Sequence, residues 1–282
     1  MGGGLMQLVA YGAQDIYLTG NPQITFFKVV YRRHTNFSME AIEQTWNGTS
    51  DGVGDSTKRC TATISRNGDL VHRMYLELHA TPAAVQNPSA YSIVDLEVEI
   101  GGQKIDKHTG QWMNVWSHLT ESNPAAHVGE SDNATTTGTL FQNMSGMGGC
   151  LGDTDGATVL WVPLQFWFCR NPGLALPLIA LQYHEVKVIL NHNFNAAFGA
   201  LTANKLWADY IYLDTDERRR FAQVSHEYLI EQVQEQSITA GAATSELNFN
   251  HPVKELVLCV GSSARTTVGA LVTIGSSAAT YQ

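Results

Sequence analysis

The fold is decided by the run Val94-Asp95-Leu96-Glu97-Val98-Glu99-Ile100, which is followed by Gly101-Gly102 and then by Gln103-Lys104-Ile105. Every second side chain of the run is apolar, and this period of two is typical of a β-strand that buries one face. Paired glycines suit a tight primed turn, because both central residues of such a turn have positive φ. The stretch therefore predicts a β-hairpin that turns at Gly101 and Gly102.

Similar strand patterns recur along the rest of the chain. They are found at residues 24–31, 70–79, 158–168, 184–190, 207–213, 227–233 and 253–260. Segments rich in Gly, Asn, Pro and Ser separate them, as is usual for antiparallel sheets. This many short strands predicts an all-β protein, either a sandwich or a barrel.

Helices are predicted in two places only. Residues 111–121 carry apolar side chains at the spacing of one helical face, namely Trp112, Val115, Trp116 and Leu119. Residues 216–223 begin with acidic side chains, which the helix dipole favours in a first turn, and they are interpreted as a connector between two β units. The long polar segments 48–58 and 129–156 predict surface loops.

The composition limits the classes of function. Charged residues make up 15% of the chain, below the roughly 25% of an average soluble domain, so much of the surface is expected to be neutral or covered by partners. The formal net charge of −9 argues against a surface that binds nucleic acid directly, since phosphate binding needs clustered Lys and Arg. The cluster Arg218-Arg219-Arg220 follows Asp214, Asp216 and Glu217 and is interpreted as a local salt-bridged surface.

The cysteines and the hydropathy of the chain indicate in which cellular compartment the protein is expected. The four cysteines lie far apart without a CxxC pair, which indicates neither a zinc module nor a disulfide framework and suggests reduced thiols. Residues 1–10 lack a basic flank before an apolar stretch, and no run approaches the ~20 apolar residues that span a bilayer. The sequence thus predicts a protein that is neither secreted nor embedded in a membrane.

Motifs that would carry chemistry fail on spacing. The glycine run at 146–152 lacks the Lys-Ser/Thr of a phosphate loop, and Asp153-Thr154-Asp155-Gly156 brings the turn glycine of a calcium loop too early. Neither His184-Glu185 nor His226-Glu227 is followed by a second histidine at the zincin position. We therefore predict no catalytic, cofactor-binding or metal-binding residues, and a protein that is not an enzyme.

The chain resembles a known family in five ordered stretches. These are LVAYGAQD with YLTGNPQITFFK at 8–28, ISRNGDL at 64–70, FWFCRNPGLALP at 166–177, ADYIYLDTDERRRF at 208–221, and NFNHPVKEL at 248–256. All of them resemble major capsid proteins of nucleocytoplasmic large DNA viruses, the last at the entry into that family's second jelly roll. The order is kept from about residue 5 to 260.

The resemblance implies a structural protein of the virion with two consecutive antiparallel jelly rolls. Residues 1–23 would be an N-terminal arm, 24–214 the first jelly roll, 215–226 a linker, and 227–282 the start of a second, truncated jelly roll. The implied partners are two further copies in a trimeric pseudo-hexagonal capsomer, neighbouring capsomers of an icosahedral shell, and minor capsid proteins. The resemblance also implies that the inner viral membrane is contacted only indirectly and that assembly takes place in the host cytoplasm.

The sequence departs from the family pattern after Val260, where only a stretch rich in Ser, Ala, Thr and Gly remains. A second jelly roll needs on the order of a hundred or more further residues. We expect either a truncated chain or a second jelly roll supplied elsewhere. The alternative to a capsid subunit is a jelly-roll module that binds carbohydrate or serves in attachment, since sandwiches often carry ligand sites on loops.

Overall fold

The structure is a computed structural model that describes residues 36–50, 57–82, 87–121, 139–148, 159–238 and 244–259. Its elements, in chain order, are β1 (Phe37–Gln44), β2 (Trp46–Gly48), β3 (Lys58–Thr63), β4 (Leu70–Pro82), α1 (Pro88–Ser92), β5 (Ile93–Ile100), β6 (Gln103–Thr109), α2 (Gly110–Thr120), α3 (Leu140–Ser145), β7 (Val159–Pro163), α4 (Trp167–Arg170), a 3-10 turn (Pro172–Leu174), β8 (Leu176–Pro177), β9 (Val186–His192), α5 (Phe194–Ala197), β10 (Phe198–Leu213) and α6 (Thr215–Gln223).

The strands form two antiparallel sheets. Sheet I has the order β1-β10-β4-β7, with β8 added to β4, and sheet II has the order β2-β3-β9-β5-β6. Without the short β2 and β8, eight strands remain, and counted along the chain they are ordered 1-8-3-6 in one sheet and 2-7-4-5 in the other. This is the strand order of a jelly roll. The predicted fold class is confirmed.

The core lies between the two sheets, where the alternating side chains meet. Leu96 and Val98 of β5 and Leu76 and Leu78 of β4 are fully buried. The predicted hairpin is present, with Ile100 paired to Gln103 and with φ of 60° and 83° at the two glycines. The hydrophobic period read from β5 therefore reports which face of sheet II is inside.

The two predicted helices are confirmed. Residues 110–120 form α2, capped by the Thr109 hydroxyl, which accepts from the Trp112 N–H at 3.1 Å. Residues 215–223 form α6 behind β10. The predicted loop at 129–156 is wrong where the structure describes it, because Thr139 and Gln142 make a capping box that starts α3.

Four strand predictions had wrong bounds, and the one at 70–79 was too short, since β4 runs from Leu70 to Pro82. The predicted strand at 158–168 ends at Pro163 as β7, and residues 167–170 form α4. Consecutive aromatic residues of this run, including Phe166 and Phe168, are buried, whereas a strand of a sandwich buries only every second side chain. The predicted strand at 184–190 begins later, at Val186. The one at 207–213 is the end of the much longer β10, whose register shifts interrupt the alternation.

Residues 227–233 and 253–259 form neither helix nor strand, so the strand predictions made for them are wrong. The reason is that no strand among the described residues pairs with them in a ladder, and at Val233 the backbone N–H donates to a side chain instead. The prediction at 24–31, the arm at 1–23, and residues 260–282 lie outside the described residues, as do 51–56 of the predicted loop at 48–58.

Candidate assembly surface

The outer face of sheet II carries paired charges. Lys107 lies 3.1 Å from Asp95 and 3.6 Å from Glu97, and Lys104 lies 2.5 Å from Glu97. Burial by itself lowers the pKa of Lys107, but its hydrogen bonds and charge contacts with the two carboxylates outweigh this, and the pKa is raised. A face that carries several ion pairs between Lys and Asp or Glu is typical of a surface in contact with water.

The outer face of sheet I is apolar at one end. Phe37 and Met39 of β1 are 64% and 50% exposed, and they lie opposite Leu213 and Ile211 of β10. Phe221 of α6 packs against the same small cluster as Leu213. We call Phe37, Met39, Ile211, Leu213 and Phe221 the β1 patch. Phe37 and Met39 are the exposed members of the patch, and adjacent exposed apolar side chains mark an interaction surface more often than isolated ones do.

A buried carboxylate lies near the middle of the same outer face. Glu77 of β4 is 6% exposed and accepts a hydrogen bond from the Trp207 indole at 2.5 Å and another from His79, with Lys205 3.6 Å away. Burial by itself raises the pKa of Glu77, but these hydrogen bonds and the Lys205 charge together lower it. The carboxylate is therefore held ionised inside the face.

Aromatic rings surround this carboxylate. Tyr75 and Trp161 meet edge to face, with centroids 5.6 Å apart and planes at 61°, and the Tyr75 hydroxyl donates to Asp209 at 3.3 Å. Burial, followed by the nearby Asp209, raises the pKa of Tyr75 to about 12.

One shallow cavity lies at the turn before β9. Its volume is about 400 Å³, and its lining includes Arg66, Tyr183 and His184. The Arg66 guanidinium donates to the carbonyls of Leu181 at 2.6 Å and His184 at 3.2 Å. The Arg66 side chain therefore bonds to the backbone of the turn at 181–184.

The chain after α6 runs over the jelly roll without regular secondary structure; we call residues 225–238 and 244–259 the tail. Several of its apolar side chains are exposed, namely Leu229 at 87%, Val253 at 54%, Leu256 at 51% and Leu258 at 57%. The two parts of the tail face each other through side chains, with the N–H of Asn250 donating to Gln234 at 3.1 Å and that of Asn248 to Gln236 at 2.8 Å. The tail is thus a second apolar surface.

The arginine cluster is salt-bridged, as predicted, although one partner differs. Arg220 pairs with Glu217 at 3.1 Å, as the local sequence suggests. Arg218 instead lies 2.9 Å from Asp69, whose other oxygen accepts the N–H of Leu213 at 2.9 Å. Asp69 therefore ties α6 to the end of β10.

The fragments tested for chemistry are dispersed. His184 lies at the cavity, whereas His226 stacks on Phe221 with centroids 5.0 Å apart, and residues 153–156 lie outside the described part of the chain. Burial raises the pKa of both Cys60 and Cys169 to about 12, which keeps them as thiols. In the ranges that the structure describes, no three His, Cys, Asp or Glu side chains cluster as metal ligands would. None of the described helices is both long and apolar enough to cross a bilayer.

Sequence reasoning missed the β1 residues of the β1 patch, Phe37 and Met39. The strand Phe37–Gln44 was not predicted, although Phe37, Met39 and Ala41 alternate with Ser38 and Glu40 in the sequence. Such an alternation before a jelly roll was an available signal. What it could not reveal is that this alternating face points away from the core.

Comparison with known proteins identifies related chains. A family model described as "Major capsid protein N-terminus" matches residues 25–214. The major capsid protein of Pyramimonas orientalis virus is 56% identical over 267 residues, which cover 91% of this chain and 65% of the relative. The major capsid protein of Paramecium bursaria Chlorella virus 1 is 44% identical, with coverage of 91% and 60%.

A solved structure is similar as well. A quasi-atomic model of the PBCV-1 virus capsid superposes with a TM-score of 0.58 at 38% sequence identity, covering 81% of this chain and 57% of that one. The chain therefore spans somewhat less than two thirds of the length of these relatives.

Proposed function

Because the chain belongs to the major capsid protein family of large DNA viruses, we propose that it is a structural subunit of a virion shell that works by associating with copies of itself. The observation that carries this proposal is the difference between the outer faces of the two sheets. Sheet II presents ion pairs, whereas sheet I presents the exposed Phe37 and Met39. A subunit that covers one face and leaves the other in water needs this asymmetry.

We further propose that three copies form a pseudo-hexagonal capsomer and that such capsomers tile an icosahedral shell. A rigid sandwich supports this role, since it presents flat walls that allow many weak contacts to add up. Neighbouring capsomers and minor capsid proteins are the proposed partners, the inner viral membrane is reached only indirectly, and assembly takes place in the host cytoplasm. No catalytic step is part of this proposal.

The division of the chain is proposed on the same basis. Residues 24–214 are the first jelly roll, 215–226 a linker, and 227–282 the start of a second jelly roll, after an arm at 1–23. The tail supports this division, because its two parts lie antiparallel with Glu231 near Lys254 and Gln234 near Asn250. Exposed Leu256 and Leu258 are then the apolar side chains that further strands would cover.

The proposal is tested on the full 282-residue chain by light scattering and sedimentation. We expect concentration-dependent trimers, and a chain that stays monomeric at all concentrations contradicts the proposal. Met39→Glu places a carboxylate in the exposed β1 patch and is expected to weaken association at least about tenfold, as desolvating an unpaired charge does.

The matched control is Thr63→Glu, which places the same charge on an exposed position of sheet II opposite Lys187. We expect Thr63→Glu to associate like the unmodified chain. If both variants weaken association equally, or neither does, the β1 patch is not the contact surface.

A further inference from the structure

The strand β6 is an edge of sheet II. It pairs with β5 on one side, and within the described residues no strand lies on its other side. Ile105 lies at a register shift in this pairing. The cations of the strand, Lys104 and Lys107, are ion-paired to carboxylates of β5 and so do not supply the free charge that usually blocks an edge. Such an edge can pair with another chain.

Two consecutive tail residues contact this strand, and the residue before them contacts α4. The Gln232 side-chain amide donates to the carbonyl of Ile105 at 2.5 Å, and the N–H of Val233 donates to Asp106 Oδ1 at 3.0 Å. Beside them, Glu231 accepts from Arg170 at 3.2 Å. The contacts therefore occupy polar groups at the position where an added strand would have to bind.

The acceptor for Val233 is unusual because it is a buried carboxylate. Asp106 is 3% exposed, its Oδ1 also accepts the N–H of Lys107 at 2.9 Å, and its Oδ2 lies 2.9 Å from His108 Nε2. His108 is itself buried and stacks on Phe166 at 4.7 Å. The carboxylate is buried and its Oδ1 is oriented by the Lys107 N–H, so it offers Val233 a charged acceptor.

Arg170 is fixed in the same manner. Its Nε donates to the carbonyl of Gln165 at 2.8 Å, and its guanidinium lies 4.1 Å above the ring of Trp116. Both anchors of the tail are therefore held by contacts within the jelly roll as well as by the tail.

We propose that residues 231–233 are a cover for the edge of β6, that Asp106 is the group that holds the cover in place, and that the cover excludes the β6 edge of a second copy of this chain. The unwanted contact is edge to edge. It differs from the contact proposed for the shell, which uses the outer face of sheet I.

Val233→Pro tests the proposal, because proline removes the N–H that Asp106 accepts and leaves the jelly roll untouched. Glu235→Pro is the matched control, since it places the same ring at an exposed position two residues further on. Hydrogen exchange of the full chain is followed by mass spectrometry in peptides that contain residues 103–109 and 227–238. A lost hydrogen bond to a charged acceptor predicts exchange at least about tenfold faster in Val233→Pro than in the control.

Association is measured on the same two variants by light scattering. We expect Val233→Pro to form larger species than Glu235→Pro, and we expect this growth to persist when Met39→Glu is added. Equal exchange in the two proline variants overturns the role of Asp106. Faster exchange without added association overturns the role of the tail as a cover.

Gln232→Ala is a second variant that leaves the backbone free to fold as before. It removes only the donor to the Ile105 carbonyl, so the tail should detach from β6 more often and the amides of 103–109 should exchange faster through this local opening, while the core strands β4 and β5 keep their protection. A uniform rise over the whole sandwich would indicate general destabilisation and contradict a local cover. Since Met39→Glu leaves β6 unchanged, failure of the shell proposal does not alter this outcome.

Discussion

Removing a single hydroxyl, in Tyr210→Phe, should measurably destabilise the sandwich. Tyr210 is fully buried on β10, and its hydroxyl donates to the carbonyl of Ser65 at 2.6 Å. The hydroxyl also lies 3.1 Å from Gln44 Oε1 on β1. It thus connects the last strand of the jelly roll to the turn before β4 and to the first strand.

The expected loss of stability depends on which polar groups keep a hydrogen-bond partner in the variant. Gln44 Oε1 keeps the N–H and hydroxyl of Ser65, each at 2.9 Å, so its acceptor remains occupied. The carbonyl of Ser65 loses its donor in a half-buried place. A neutral hydrogen bond and one such unsatisfied acceptor together predict a loss of about 1–2 kcal/mol in the free energy of unfolding.

The assay is urea unfolding followed by tryptophan fluorescence, with the midpoint and slope compared at equal protein concentration. Tyr212→Phe is the matched control, because that hydroxyl is on the same strand and makes only a 3.4 Å contact with Glu40 at the surface. We expect the control to unfold like the unmodified chain. If Tyr210→Phe does the same, or if the control loses as much, the hydroxyl network does not hold β10 in place.

Two further outcomes follow from the packing. Gly110→Ala should destabilise the fold by about 1–3 kcal/mol or more, because the added Cβ would lie 2.1 Å from the carbonyl oxygen of Ala90. Gly173→Ala, at an exposed turn, should not destabilise it, and thermal unfolding of both variants checks this difference. Glu77 has a lowered folded-state pKa, so its stabilising effect is complete above the ordinary value of 4.5 and is lost as the pH falls through the lower value. Glu77→Gln should therefore flatten the acid side of a stability–pH curve, and an unchanged curve would contradict this assignment.

The β5–β6 hairpin illustrates what could be predicted from the sequence. Its alternation and its two glycines are local, and the structure has both the pairing and the positive φ values. The helix at Gly110–Thr120 was equally local, with an error of one residue. Long β10 was found only at its end, because register shifts interrupt the period of two on which the prediction depends.

The tail shows why local patterns fail. Residues 227–233 have the composition of a strand, but strand formation needs a partner, and here the N–H of Val233 is taken by the Asp106 carboxylate. Asp106 lies 127 positions away in sequence, and nothing in its neighbourhood marks it as an acceptor for the tail. A hydrogen bond between residues so far apart in sequence depends on the tertiary structure and is not visible in the local pattern.

The sequence by itself determined an all-β protein, since a period of two and the turn residues specify which side chains are inside and where the hairpin closes; the jelly-roll sandwich came from the family resemblance. Its motifs also determined the family. The tertiary structure alone decided that one end of the outer face of sheet I is apolar, that Met39 is exposed beside Ile211, and that tail residues contact the β6 edge. The physical reason is that burial of one face is encoded along each strand, whereas the environment of the other face depends on which distant strands become its neighbours.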